Sequence, residues 1–352
     1  PYEYQPGVEY VTTAGGYLTA RLTGEKKDSV ANYFGHWPYS EQEWGWSSDD
    51  QDYLQNGIKP GQLFSLVEPG QLLGELTKEA ALLTGLSQGL PIVATGNDKA
   101  VDMLAGDPSA NSMMVSLGTY IAAAVLSKDE LPGEAYWKSF SVQPPYFLYE
   151  TVGVRRGMWT ISWFLRELAG KNGLQQISDE ASSISLGSDG LMAIHDWAAP
   201  VSEPHKRGAL VGFDGRHGKA HIFRAILEGI AFRLANNWQD ACAHKKLEIS
   251  SLYSCGGGSH SELLNQMLAN VYQLPLKTFQ ETFSLTALCG ALLAATWHGT
   301  YSSIEQAREA MIRTGSTYQP EKVDQGQVAA LLKKERRLSQ SLGQALGGND
   351  AI

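Results

Sequence analysis

The pattern of apolar and polar residues changes character near residue 108. Before that point, stretches with helical spacing such as 75–87 lie between irregular segments rich in glycine and aromatic residues. After it, apolar runs of strand length follow one another, at 112–118, 120–127 and 147–153. We therefore expect two domains, formed by residues 1–107 and 108–352.

The second domain then alternates between helices and strands. Its longest predicted helix covers 221–241 and carries apolar residues along one face, which indicates packing against a core. Further helices are predicted at 158–170, 174–184, 261–273, 285–297 and from 303 onward, and further strands at 190–196, 250–256 and 275–279. A run of strands followed by alternating strands and helices predicts an α/β domain with a mixed sheet.

The stretch LPIVATGNDKAVD, at 90–102, places Asp98 where a predicted buried strand passes into a helix. An N-cap is one interpretation, because an aspartate side chain accepts hydrogen bonds from the free N–H groups at a helix start. A catalytic carboxylate is the other, since loops at the carboxyl ends of strands carry the chemistry of α/β proteins. The local pattern by itself favours the cap and leaves both open.

A tight reversal is predicted between the first two strands of the second domain, at Gly118 and Thr119. As a hairpin turn it would use the glycine for a positive φ. The Thr119 hydroxyl beside free backbone N–H groups could instead bind phosphate oxygens. These two residues alone do not decide between a turn and a phosphate site.

Three consecutive glycines, Gly256 to Gly258, end a later strand. Without side chains they would let a flat ring or a phosphate approach the next helix, which Ser259 or Ser261 could cap. The spacing matches neither GxGxxG nor the Walker A pattern, so a Rossmann or P-loop site is not predicted. A strand-to-helix turn without a ligand is the alternative.

The glycine-rich loop before the longest helix carries further candidates. It contains Asp214, Arg216 and His217, which either contact a ligand or, as is more usual, are solvated. On the helix itself, Arg224 and Glu228 lie four residues apart and are expected to form an ion pair.

Near the amino end, Trp37, Trp44 and Trp46 lie in a loop rich in glycine, serine and aspartate. Their rings either stack on a sugar or, as the pattern favours, pack the loop onto the core. The stacking interpretation would suit a carbohydrate-binding module.

Composition restricts the partners. The 28 basic and 37 acidic residues give a net charge of −9, which disfavours nucleic acid or an anionic membrane as the main partner. No apolar run approaches membrane-spanning length. Three widely separated cysteines, Cys242, Cys255 and Cys289, predict neither a disulfide framework nor a thiolate zinc site and favour a cytoplasmic location.

Six stretches, taken in order, resemble the FGGY family of carbohydrate kinases. They are YLTARLTGEKKDSVAN, TGNDKAVDMLAG, SLGT, GFDGRHGKAHIFRAILEGIAF, CGGGSHSELLNQMLANV and LTALCGALLAATWHGTYSS. The resemblance implies the actin-like ATPase fold, with two ribonuclease-H-like domains around a nucleotide and sugar cleft. It would make 1–107 the carboxyl-terminal part of the sugar-binding domain and 108–352 the nucleotide-binding domain.

The resemblance also implies an activity, namely ATP-dependent phosphorylation of a hydroxyl on a small sugar or polyol, with Mg²⁺. Asp98 would be the general base and a Mg²⁺ contact. The implied nucleotide contacts are Gly118, Thr119, Gly212, Gly256, Gly257, Gly258 and Glu262. Two alternatives stay open: an inactive ATP-binding relative of the same fold, and a carbohydrate-binding module.

The chain departs from the family pattern in places. Nothing in it matches the family's first half-domain with its "D.GTTS" loop, so we expect a fragment or a truncated product. KDSVANY at 27–33 replaces "TD.S.AS", and Asn270 stands where aspartate is common. The identity of the sugar is therefore left open, and so is a homodimer.

Overall fold

The computed structural model describes residues 7–35, 37–106, 111–133, 135–170, 173–200, 203–243, 247–280 and 284–347. The first third of the chain is built from short elements. Its helices are α1 (Ala14–Thr23), α2 (Asp50–Asn56), α3 (Lys78–Thr84) and α4 (Asp98–Asp102). Its strands are β1 (Lys27–Ser29), β2 (Tyr39–Ser40), β3 (Gly45–Trp46), β4 (Ser65–Val67), β5 (Leu72–Glu75) and β6 (Pro91–Val93), which pair as β1 with β4, β2 with β3 and β5 with β6.

A seven-stranded mixed sheet organises the rest of the chain. The strands are β7 (Ser112–Leu117), β8 (Ile121–Ser127), β9 (Tyr136–Phe140), β10 (Phe147–Thr151), β11 (Met192–Ile194), β12 (Ala209–Val211), β13 (Ser251–Cys255), β14 (Leu276–Phe279) and β15 (Thr314–Tyr318). β11 and β12 pair with each other, and the others form one sheet in the order β15-β14-β13-β7-β8-β10-β9. β7, β13 and β14 are parallel, and β10 runs the same way because it is antiparallel to β8. The expected mixed sheet is confirmed.

Helices cover both faces of this sheet. They are α5 (Gly157–Phe164), α6 (Leu174–Ser182), α7 (Lys219–Ala241), α8 (Glu262–Tyr272), α9 (Leu285–Trp297), α10 (Ile304–Met311) and α11 (Gln325–Gly347). On β7, Met113, Val115 and Leu117 share a core with α5 to α8, because alternate residues of a strand face opposite sides. Met114 belongs to a second core, which contains Val30 and parts of α4 and α9. The first third of the chain therefore packs on one face of the sheet.

Most of the predicted elements are confirmed. The helix predicted at 285–297 is α9, and Gly24 ends α1 in the left-handed conformation, with a φ of 77°. The strand predicted before Asp98 is present as β6, but the prediction that it is buried is wrong. β6 lies in a two-stranded pair, and its residues are exposed or half-buried. Among the strands after residue 108, β9, β12 and β15 were not predicted. The domain boundary stays a prediction, although every strand of the large sheet follows it.

The three tryptophans of the amino-terminal loop make packing contacts. The rings of Trp37 and Trp46 lie 4.9 and 4.6 Å from that of Tyr33, both edge-on. The Trp44 ring lies 4.7 Å from that of Phe140 on β9. The loop is thus fixed to the core by its aromatic rings, as the sequence pattern favoured over an exposed sugar platform.

Two further findings concern the class of protein. None of the helices in the described part of the chain combines the length and apolarity that crossing a bilayer requires. Cys242, Cys255 and Cys289 are free thiols, in agreement with the absence of a predicted disulfide framework.

His195, which follows β11, gives a prediction about stability. Its Nε2 lies 2.8 Å from the Ile226 carbonyl oxygen, and its buried Nδ1 has no hydrogen-bond partner in the described part of the chain. Burial lowers its pKa to about 4. Below pH 6.5 the unfolded chain therefore binds more protons than the folded protein. This histidine does not lower the free energy of unfolding above pH 6.5, but the free energy of unfolding falls by about 3 kcal/mol as the pH drops to about 4. In urea titrations over this range, His195→Gln should remove most of the fall. An equal fall in the variant would contradict this.

Candidate active site

The carboxyl ends of β7, β10 and β13 lie at one edge of the sheet, because these three strands run in the same direction. The turn at Gly118 follows β7, and the glycine run follows β13. A Cβ on Gly256 would lie 3.0 Å from the carbonyl carbon and oxygen of Leu117 and 3.3 Å from the Gly118 nitrogen. The structure therefore brings these two sequence-predicted glycine turns into contact.

The two glycines after Gly256 have different surroundings. A Cβ on Gly257 would meet no atom within 4 Å, so the space beside it is open. A Cβ on Gly258 would lie 2.7 Å from the Leu117 Cβ and 2.7 Å from the Met158 sulfur. Gly258 is thus required by packing, whereas Gly257 leaves room for a ligand. The expectation that a nucleotide limits both positions needs correction at Gly258.

The turn after β7 differs from the predicted two-residue hairpin. Leu117 pairs with Ile121, so three residues form the loop. Gly118 does not have a positive φ, and the Thr119 side chain is exposed. The conformational reason given for Gly118 is therefore wrong. Its lack of a side chain still leaves the backbone of this loop accessible at the sheet edge.

Asp98 begins α4 but does not cap it. The Asn97 side chain accepts a 3.0 Å hydrogen bond from the Ala100 N–H and is the N-cap. Asp98 is exposed, and its Oδ1 accepts a 2.8 Å hydrogen bond from the Lys99 N–H. Since the neighbouring residue caps the helix, the carboxylate of Asp98 is free for another role.

Polar contacts of α4 hold Asp98 at the sheet edge. The Lys99 Nζ donates to the Ser116 Oγ on β7 at 2.5 Å. The buried Asp102 carboxylate accepts a hydrogen bond from the Thr286 hydroxyl at 2.6 Å and one from the Cys255 thiol at 3.6 Å. Burial raises the pKa of Asp102, although Thr286 and Lys99 oppose this. Through these contacts the helix that carries Asp98 is fixed to both strands that lead into the glycine turns.

Two further predicted nucleotide contacts are Gly212 and Glu262. Gly212 has a φ of 107° and packs against the backbone of Gly190, beside the β11–β12 pair. Glu262 is the exposed first residue of α8, which Ser261 caps, and lies four residues after Gly258.

Sequence reasoning missed Glu150 on β10. The charges of Asp98 and Lys99 both act on its half-buried carboxylate, and burial raises its pKa. The signal that could have found it is a glutamate inside the apolar run FLYETVG. Its carboxylate interacts electrostatically with that of the candidate base.

The glycine-rich loop before α7 contains the candidate ligand contacts Asp214, Arg216 and His217. The Asp214 carboxylate accepts two hydrogen bonds from the Arg216 guanidinium, and this pair holds the pKa of Asp214 near 2. His217 and His221 both contact Asp189, by its carbonyl and its carboxylate. Asp214 and Arg216 are exposed and paired with each other, so the solvated interpretation fits them, whereas the His217 side chain is buried and contacts the Asp189 carbonyl instead.

The candidate residues can also be compared with the ligands that a bound Mg²⁺ requires. Within the ranges the structure describes, no group of three or more His, Cys, Asp or Glu could hold a metal ion. Mg²⁺ carried by nucleotide phosphates needs only one or two protein carboxylates and keeps several waters. The exposed Asp98, whose Oδ2 has no hydrogen bond in the described part of the chain, fits that arrangement.

Comparison with known proteins decides the family. Residues 113–298, more than half of the chain, match the family model for "FGGY family of carbohydrate kinases, C-terminal domain". The chain belongs to the FGGY family of carbohydrate kinases. A curated relative, "Uncharacterized sugar kinase YgcE" from Escherichia coli (strain K12), is 39% identical over 335 residues, which cover 91% of this chain and 68% of the relative.

Other relatives are more distant. A xylulose kinase from Bacillus subtilis is 27% identical over 86% of this chain and 61% of its own length. The crystal structure of xylulose kinase from Rhodospirillum rubrum has a TM-score of 0.81 at 20% identity, over 96% of this chain and 69% of that one. Plasmodium falciparum glycerol kinase with ADP has a TM-score of 0.79 at 15% identity, over 95% and 67%. The likeness confirms the actin-like ATPase fold, and this chain spans about two thirds of these proteins.

Proposed function

We propose that this chain carries the base and much of the nucleotide site of an enzyme that transfers the γ-phosphoryl group of ATP to a hydroxyl of a small sugar or polyol. One observation carries the proposal. The free carboxylate of Asp98 lies on a helix fixed, through Lys99 and Asp102, to the strands that end in the two touching glycine turns. A proton acceptor and a phosphate-sized space beside exposed backbone are the parts that phosphoryl transfer needs.

Each of these residues has a separate role in the proposed reaction. Asp98 takes the proton of the acceptor hydroxyl as that oxygen attacks the phosphorus. Thr119 and the backbone around Gly118 donate hydrogen bonds to the phosphates, and the open side of Gly257 admits the nucleoside. Mg²⁺, when bound with ATP, neutralises phosphate charge, and Asp98 would be its protein contact. Most of the rate would come from holding the acceptor in line.

The experiment that tests the proposal is an ADP-release assay on the full-length natural protein. The acceptor panel contains xylulose, ribulose, glycerol and gluconate, and a blank without acceptor measures ATP hydrolysis. Acceptor-dependent ADP release supports a kinase. ATP binding without release on any acceptor would favour the inactive relative, and sugar binding without ATP binding would favour the carbohydrate-binding module.

The glycine run gives a separate prediction. Gly257→Val should weaken ATP binding at least tenfold, about 1.4 kcal/mol, because the new side chain occupies the open space. Its melting temperature should stay near wild type. Gly258→Ala is the control, because its Cβ meets Leu117 and Met158 and should cost about 1–3 kcal/mol of stability. Calorimetric ATP titration and thermal melts measure both, and unchanged ATP affinity in Gly257→Val would show a turn without a ligand.

A further inference from the structure

Glu150 lies on the face of the sheet that α4 covers. On β10, Leu148 belongs to the core shared with α4 and α9, and Tyr149 belongs to the core on the opposite face. Since alternate residues of a strand share a face, the Glu150 side chain is on the same side as Leu148. In the sheet it pairs with Ala124 on β8 and Trp137 on β9.

The surroundings of Glu150 are charged and polar. Asp98 and Lys99 act on its carboxylate from α4, and its own charge acts on the Tyr120 hydroxyl. That hydroxyl accepts a 2.8 Å hydrogen bond from the Gly153 N–H, just beyond the end of β10. Glu150 therefore lies on the sheet face that α4 covers, near the carboxyl end of its strand and within electrostatic reach of the candidate base.

The carboxylate of Glu150 is unusual because it accepts no hydrogen bond and forms no ion pair among the described residues. The buried carboxylates elsewhere are well satisfied. Asp28 accepts hydrogen bonds from Thr13, Asn32 and Tyr33, and Asp102 accepts two, as described above. Leaving a half-buried carboxylate without donors costs free energy, so such a group points to a donor that binds from outside the protein.

We propose that Glu150 binds the acceptor, its two oxygens accepting hydrogen bonds from two neighbouring hydroxyls of a neutral sugar or polyol. This inference rests on the proposed function. A diol supplies the two donors that the carboxylate lacks. The Lys99 ammonium is the nearby cation acting on Glu150, and it already donates to Ser116. Two carboxylates, Asp98 and Glu150, therefore face the acceptor with one cation beside them, which disfavours an acceptor that itself carries a carboxylate.

Glu150→Gln tests the proposal in the full-length protein, because glutamine keeps the shape and removes the charge and one acceptor oxygen. With the best neutral acceptor of the panel, we expect KM for the acceptor to rise about 10- to 100-fold, as for the loss of a hydrogen bond to a charged group. The ATP affinity, the melting temperature and the acceptor-free hydrolysis should stay within twofold or 1–2 °C of wild type. The ratio of kcat/KM for gluconate to that for the neutral acceptor should rise.

Glu130→Gln is the matched control, since the Glu130 side chain is 80% exposed and pairs only loosely with Lys138 at 3.5 Å. It should change none of these values. An unchanged acceptor KM in an active Glu150→Gln enzyme, or a wild-type preference for gluconate, would overturn the inference and leave the kinase proposal intact. A lowered melting temperature with equal losses for ATP and acceptor would make Glu150 structural. A wild type that transfers phosphate to no acceptor would overturn the proposed function itself.

Discussion

Replacing Asp98 by asparagine is expected to lower kcat by about two to four orders of magnitude, because the amide cannot take the acceptor proton. The fold should not change. The Asn97 side chain caps α4, and an asparagine at 98 can still accept the hydrogen bond from the Lys99 N–H. Stopped-flow or coupled ADP-release kinetics on the full-length protein, with the acceptor found by the panel, measure the loss. Thermal melts verify the fold.

Asn97→Ala is the control for this prediction. It removes the cap and should cost about 1 kcal/mol of stability, while the carboxylate that takes the proton remains. The two neighbours thus separate a capping role from a catalytic one. An Asp98→Asn enzyme that phosphorylates the acceptor within a few-fold of wild type would show that Asp98 is not the base.

The neighbouring residues Asn97 and Asp98 show where sequence reasoning stops. Both side chains can cap a helix, and the pattern of apolar residues gives no boundary sharp enough to choose between them. The helix in fact begins at Asp98 itself, one residue earlier than a cap at Asp98 would require. The resemblance to the family selected Asp98 for chemistry, and the structure explains how this is compatible with a capped helix.

The strands also differ in whether the sequence predicts them. β7 lies in the middle of the sheet, is buried along its whole length and was predicted from its apolar run. β9 and β15 are the two edge strands of the sheet, and their sequences YWKSF and TGSTY mix polar and half-exposed residues. An edge strand has a neighbour on one side only, so it does not need the apolar run by which a central strand is found.

Contacts between distant residues were beyond prediction. That Gly258 gives room to Leu117 and Met158, while Gly257 faces open space, depends on residues 100 or more positions apart in the sequence. The hydrogen bonds of Asp102 to Thr286 and Cys255 are of the same kind. Local spacing does fix some pairs, such as Arg224 with Glu228, whose predicted ion pair is confirmed at 2.7 Å.

That ion pair gives the largest expected effect on stability. The buried Glu228 carboxylate accepts hydrogen bonds from the Arg224 guanidinium, the Gly187 N–H at 3.1 Å and the Ser188 hydroxyl at 3.0 Å. Burial raises the pKa of Glu228, and Arg224 opposes this. Glu228→Ala would leave a buried guanidinium without its counter-charge and should cost about 3–5 kcal/mol. Urea denaturation at neutral pH measures the loss.

The turn that Glu228 holds explains why the effect should reach the site. Gly187, Ser188, Asp189 and Gly190 all have positive φ values, which only outside contacts can maintain at the two residues that are not glycine. The Gly190 carbonyl packs against Gly212, so a loosened turn moves that candidate contact as well.

Two controls make the Glu228 prediction specific. Glu167→Ala breaks an exposed pair with Arg166 and should cost less than about 1 kcal/mol. The double variant Arg224→Met, Glu228→Leu removes both buried charges and should recover much of the stability that Glu228→Ala loses. If Glu228→Ala unfolds at the wild-type urea concentration, the pair does not hold the turn. If the double variant is as unstable as the single one, the loss comes from the hydrogen bonds to Gly187 and Ser188 rather than from the unpaired arginine.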